Sequence, residues 1–141
     1  MQSPGGLFVP LCNLARLSVA RGNLDRARAL LLESLQLATA AELRGMGEDL
    51  LEVTAGLASA GGEPSVAARF AGAAQARMAH SGSQREPVDE AFFAPLMACA
   101  RAALGQAAFA QEESQGAALN YDTAILEVQQ WLEGPAGTMR A

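Results

Sequence analysis

Lysine is absent from these 141 residues, and all ten basic side chains are arginine. The arginines are scattered, so the missing lysine reads as a GC-rich genomic bias rather than as chemistry. With a net charge of −5, it leaves no clustered basic face of the kind that nucleic acid requires. The one local grouping, Arg21, Arg26 and Arg28 with Arg16 one helix earlier, is too small to outweigh the acid and reads as a solvated helix face. Isoleucine occurs once, at Ile125, and aromatics make up 5% of the chain, which leaves little to build a sheet. Histidine also occurs once, at His80. A metal site needs more ligands and acid–base catalysis needs a held partner, so His80 reads as structural or solvated. Cys12 and Cys99 lie far apart without CxxC spacing and read as buried, reduced thiols.

Long apolar runs are missing too. No stretch reaches the roughly 18 apolar residues of a membrane span. The opening MQSPGGLFVPLCNLARL lacks a basic leader, and its apolar run is cut by Pro10, Asn13 and Arg16. These absences predict a cytoplasmic protein with no metal or cofactor, no membrane partner and no direct nucleic-acid partner.

What is present is alanine, 31 residues of it, and leucine. Both favour helix, and the length suits one domain with a real core. The prediction is an all-α chain, at least two-thirds helical and without strands. Sliding the sequence by forty places sets LCNLARLSVARGNLDRA (11–27) on LEVTAGLASAGGEPSVA (51–67). Leu11 falls on Leu51, Ala15 on Ala55, Leu17 on Leu57, Ala20 on Ala60, Gly22 on Gly62 and Ala27 on Ala67. The paired glycines carry the comparison, because each lies where one helix must stop and another begin.

The helix signals agree. Asn23 can cap a helix whose apolar positions Leu24, Ala27, Leu31, Leu35 and Ala38 follow a 3.6-residue period. Gly61-Gly62 ends a helix, Glu63 takes the next cap position, and Pro64 takes the first turn. Gly45 and Gly47 permit a reversal within AELRGMGED (41–49). The resulting division is a hairpin over 8–40, a hairpin over 44–79, a polar loop over 80–88, a degenerate hairpin over 89–117 jointed at Gly105, and a helix over 121–133. In the third pair Arg101 sits where a packing residue should be. Asn120 can cap the last helix, which carries Ala124, Ile125, Val128, Trp131 and Leu132 on one face and should cap the array.

Leu14-Ala15, Gly22 and Ala27, with Leu31 and Ser34 at the later large and small positions, resemble a tetratricopeptide repeat (TPR). A second unit offers Ala55, Gly62, Ala67, Ala71 and Ala74, although Thr54 stands where leucine belongs. The order of two hairpins, AARFAGAAQARM, a proline-containing loop and ARAALGQAAFA is similar to the C-terminal part of large bacterial LuxR-type signal-transduction ATPase regulators. The likeness spans about 11 to 132. No phosphate loop of the GxxxxGK[ST] type and no DNA-reading helix accompany it, so no ATPase activity carries over.

The resemblance implies an α-solenoid of antiparallel helical hairpins whose first helices line a concave groove. Cys12, Arg16 and Val19 would line it in the first unit, and Asp49, Glu52 and Ser59 in the second. An arginine opposite two carboxylates could hold a charged peptide or small polar ligand. The plainer alternative is that Arg16 pairs with Glu52 across the groove. Asp89 and Glu90 are explained by the first turn of a helix.

The expected function is therefore non-catalytic: an interaction or sensor module of a bacterial regulator, binding a protein or peptide partner, a neighbouring domain or a small ligand. Self-association as a homodimer through an uncovered end at residues 11–30 is the alternative. An enzyme using the 80–90 loop is a remote one.

Overall fold

The computed structural model describes residues 4–40 and 47–134. Within them the chain forms seven helices and no strand: α1 (Pro4–Ala20), α2 (Leu24–Ala40), α3 (Gly47–Ala60), α4 (Pro64–Ser81), α5 (Pro87–Leu104), α6 (Gln106–Ala117) and α7 (Tyr121–Glu133). Helix occupies 87% of the described residues, more than the two-thirds expected. Pro10 does not cut the first helix. It lies exposed inside α1, where its missing N–H costs one backbone bond without ending the helix.

The two hairpins share their corners bond for bond, forty residues apart. Gly22 and Gly62 have φ of 78° and 83°. Their N–H groups donate to the carbonyls of Val19 at 3.0 Å and Ser59 at 3.1 Å. The next residues, Asn23 and Glu63, donate to Ser18 at 2.8 Å and Ala58 at 2.9 Å. This is the Schellman pattern, in which a left-handed residue satisfies the last carbonyls of a helix. In each hairpin the following helix starts at once, with Ala27 and Ala67 donating back to the carbonyls of Asn23 and Glu63. A side chain at either glycine would meet no neighbour, so backbone conformation alone selects the residue.

Helix α3 is the centre. Every residue from Leu50 to Ala58 is buried, as expected of a helix that is apolar nearly all round. It touches α1, α2, α4, α5 and α7. Its buried Thr54 hydroxyl donates to the Leu50 carbonyl at 2.6 Å, and in α2 the buried Ser34 donates to Leu30 at 2.9 Å. Both polar groups therefore enter the core satisfied. Leu50, Leu51, Val53 and Leu57 lie at 2% exposure or less, each contributing roughly 1.5–3 kcal/mol of burial.

Three sequence boundaries shift. The reversal placed at 41–49 is shorter, because Gly47, Glu48 and Asp49 already form the first turn of α3; Gly45 lies outside the described residues. The loop placed at 80–88 is confined to 82–86. Gly82 ends α4 with φ 79°, its N–H on the Met78 carbonyl, and Pro87 opens α5. The pair over 89–117 is an open hairpin: the chain bends by 120° at Gly105, short of the full reversal of antiparallel neighbours. Helix α6 lies chiefly along α4 instead. That contact is made by bare backbone. A Cβ on Gly72 would run into the Glu113 carbonyl, and one on Gly116 into the Arg69 carbonyl. Arg101 does pack, its guanidinium 4.4 Å from the centre of the Phe109 ring.

Helix α7 carries the stripe read from the sequence, with Ala124, Val128, Trp131 and Leu132 buried and Ile125 half-buried. The Asn120 side chain caps it by accepting from the Thr123 N–H at 2.8 Å. It does not cover the last pair. It lies against α2, α3 and α4, and α2 and α4 scarcely touch. Trp131 meets Phe70 edge-on at 6.1 Å between ring centres. Arg28 of α2 spans the end of α7, donating to the carbonyls of Trp131 at 2.8 Å and Leu132 at 3.0 Å with its guanidinium 4.5 Å from the Trp131 ring centre. Arg28 is thus not part of a solvated face, as Arg21 and Arg26 are. Glu63 holds the N-cap position of α4 but does not cap it; its Oε1 accepts from the Trp131 Nε1 at 3.3 Å.

Candidate functional site

The first helices of the successive units, α1, α3 and α5, lie side by side, with α3 touching both others. Arg16 of α1 crosses this face. It donates from Nη2 to Asp49 of α3 at 3.3 Å, and its Nε lies 3.6 Å from Asp89 of α5. Its Nη1 donates to Asn13 one turn earlier at 2.6 Å. A second arginine, Arg85 in the loop before α5, reaches back to Glu52 of α3 at 2.7 Å and forward to Glu90 at 2.8 Å. The remaining nitrogen of Arg85 points at the Met78 sulfur at 3.7 Å, and the guanidinium sits 4.1 Å from the Phe93 ring centre.

Two arginines thus stitch three helices. The pairing differs from the Arg16–Glu52 alternative because Arg85 takes Glu52 and leaves Arg16 to Asp49 and Asp89. Between the stitches lies a recess of about 260 Å³. Glu48, Asp49, Glu52, Glu86 and Asp89 line it with Arg85, so carboxylates outnumber the cation. Ser81 at the end of α4 donates to Glu48 at 3.2 Å along its edge. A larger depression of about 650 Å³ beside the Gly61-Gly62 corner holds one ionisable group, Glu63, which is already engaged with Trp131. The chemistry therefore sits in the smaller recess.

The recess shifts its own protons. Burial pushes Asp49 above the usual carboxylate range; Arg16 opposes the shift, while Asp89 and Glu48 reinforce it. Burial likewise raises Glu52 against the stabilising bond from Arg85. For Arg85, burial works against the charge, but its bonds to Glu52 and Glu90 outweigh it and the net shift is upward. Among the described residues, no group of three or more His, Cys, Asp and Glu is arranged to hold a metal ion.

Of the six positions read from the sequence, Arg16, Asp49 and Glu52 come together on this face. Cys12 and Val19 do not line it, being 0% and 5% exposed within the core. Burial pushes the Cys12 thiol up to about 12, so it is not a nucleophile near neutral pH. Cys99, expected to be buried, is exposed on α5, and both cysteines are free. Ser59 turns to α5, its hydroxyl donating to the Leu96 carbonyl at 2.6 Å. His80 is exposed in the last turn of α4. Arg85, Asp89 and Glu90 were not assigned to the face from sequence. The only hint was a lone arginine in a polar loop, two residues before the start of α5. No protein-family model matches the chain, and no curated protein or solved structure matches it either.

Proposed function

We propose that this chain is a non-catalytic interaction module built from TPR-like helical hairpins, of the kind carried by bacterial signalling and transcription regulators, and that its α1–α3–α5 face receives the partner. The observation that carries this reading is the forty-residue equivalence of the two hairpin corners, with matching bonds at Gly22 and Gly62. Duplicated hairpins place their first helices in a row and create an extended surface rather than a closed catalytic cleft. On that surface Asp49, Asp89 and Glu52 are taken by Arg16 and Arg85, while Glu48 and Glu86 add two further carboxylates to the lining of the recess. A protein or peptide segment bearing a cationic side chain suits it, and binding there would link three helices at once. The departures from a regular array, α7 between α2 and α4 and α6 splayed from α5, leave this face untouched.

The test is a titration of fluorescent peptides matched in length and differing in net charge. Cationic peptides are expected to bind, with affinity falling as salt rises, and Glu48→Gln with Glu86→Gln should weaken them about tenfold. Equal binding of acidic and basic peptides, or no response to the double substitution, would overturn the reading.

A further inference from the structure

We infer that the pocket enclosed by α4, α5 and α6 binds a small zwitterion, a free α-amino acid with an apolar side chain of about valine's size. Its carboxylate is held by Arg101 and its ammonium by Glu113. This goes beyond the partner reading and concerns another part of the molecule. The three helices touch one another. Because the chain bends by only 120° at Gly105, the wedge between α5 and α6 stays open over α4. Ala71 and Ala94, which face it, have too little bulk to fill it. A pocket of about 170 Å³ remains, smaller than the roughly 300–1,000 Å³ of sites for drug-sized molecules. Its apolar walls are Phe93, Met97 and Phe109, themselves 3%, 5% and 2% exposed. Apolar walls with a few converging polar groups are the usual form of a small-ligand site.

Charge selects the ligand. Arg85, Arg101, Glu90 and Glu113 line the pocket. Arg85 is spent, bonded to Glu90 at 2.8 Å and to Glu52 beyond the pocket at 2.7 Å. The side chains of Arg101 and Glu113 make no ion pair or hydrogen bond, with each other or with any other described residue. The Arg101 guanidinium is held instead over the Phe109 ring, 4.4 Å from its centre, an attraction that leaves N–H donors for an acceptor. Glu113 follows Phe109 by one turn on the same side of α6. One uncommitted charge of each sign, both half-buried, thus stands beside the same apolar walls. A simple anion would meet Glu90 and Glu113, and a simple cation would meet Arg85 and Arg101. An uncharged apolar molecule would take water from both charges and return nothing. A zwitterion satisfies both with charge-assisted bonds, and its apolar side chain covers Phe93 and Met97. Gln75 adds an amide at the rim, from α4.

Calorimetric titration of the full chain with L-valine tests this, beside two molecules that each lack one of its charges, isovalerate and isobutylamine. Valine is expected to bind at roughly 1 mM, the scale for so small a ligand, and each single-charge molecule about tenfold or more weakly. Glu113→Gln should weaken valine about tenfold and strengthen isovalerate, because it removes the charge that repels a lone carboxylate. Arg101→Gln should weaken valine likewise and strengthen isobutylamine. Opposite exchanges of preference cannot come from a general loosening of the pocket. Should Arg101→Gln disturb the circular dichroism spectrum, Glu113→Gln alone decides, since its own exchange of preference is sufficient. No valine binding up to roughly 50 mM, equal binding of the three molecules, or variants that leave the preference among them unchanged would each overturn the proposal. None of these outcomes bears on peptide binding at Glu48 and Glu86.

Discussion

Two classes of carboxylate act in opposite directions on the stability of this protein. Glu127 accepts both arms of Arg69, at 2.6 and 2.9 Å, and that bond holds its carboxyl below the ordinary range. A lowered folded value means stabilisation that is present above the unfolded value and lost as pH falls through the folded one. Asp49 and Glu52 are raised by burial, so for them the folded state takes up a proton first and stability grows as pH falls from neutral towards their raised values. Glu127→Gln is expected to lower stability at neutral pH by about 0.5–1 kcal/mol, the scale of a half-exposed pair. The deficit should vanish in acid, and the variant should gain more than the parent on mild acidification. Urea denaturation at several pH values measures all three. At the other end of the same helix, Arg28→Ala removes two charge-assisted bonds to the carbonyls of Trp131 and Leu132 together with the ring contact. A loss of about 2–3 kcal/mol is expected in the same assay. Which charges pair was the least legible part of the sequence. Arg16, Asp49 and Glu52 were read onto one face and lie together there, but Asp89 and Arg85, which complete the pairs, come from a helix start and a loop that sequence spacing does not bring near them.

At the scale of elements, what is local was legible and what is distant was not. The corners at Gly22 and Gly62 are written within six residues of chain, and so were readable in position and conformation. Gly22→Ala, forced to a positive φ, should cost about 1 kcal/mol by thermal denaturation with the hairpin intact. The α4–α6 contact left only an indirect mark: Gly72 and Gly116 sit inside helices, where glycine costs about 1 kcal/mol against alanine and therefore wants a reason. That reason is backbone against backbone. Alanine at either position should destabilise by about 1–3 kcal/mol by pushing the two helices apart. Once they are apart the second methyl has room, so the double variant should cost clearly less than the sum. Additive losses in a double-mutant cycle would mean that the two glycines do not share one contact. The 120° bend between α5 and α6 escaped the sequence because Gly105 permits many angles and the packing of α6 on α4 decides among them.

The molecule as a whole is less modular than its repeat suggests. Stacked hairpins alone would unfold piecemeal, each feeling only its neighbours. Here α7 bonds α2 through Arg28 and α4 through Arg69, and presents Trp131 to Phe70 and Glu63. Trp131→Ala should cost about 3–5 kcal/mol. Hydrogen exchange should show α1–α2 and α3–α4 losing protection together. Protection lost in α7 alone would show that the hairpins stand without it. In the parent protein the emission of Trp131, 5% exposed, should be blue-shifted and insensitive to dilution; a red shift on dilution would place its ring in a contact between copies.

The clasp of Arg28 on the end of α7 also has a consequence in time. Those partners lie 103 and 104 residues apart in sequence, whereas the hairpins are assembled from near neighbours. On a ribosome, at about 5–20 residues per second, the first hairpin emerges several seconds before the helix that will secure it. For that interval the surface of Leu24 and Leu57 stands open, with the indole that walls the cleft beside them still unmade. Local corners let the early hairpins form quickly, but consolidation waits on contacts between segments about a hundred residues apart. The nascent chain therefore passes through a loosely held array and becomes a single cooperative body only once α7 has been made.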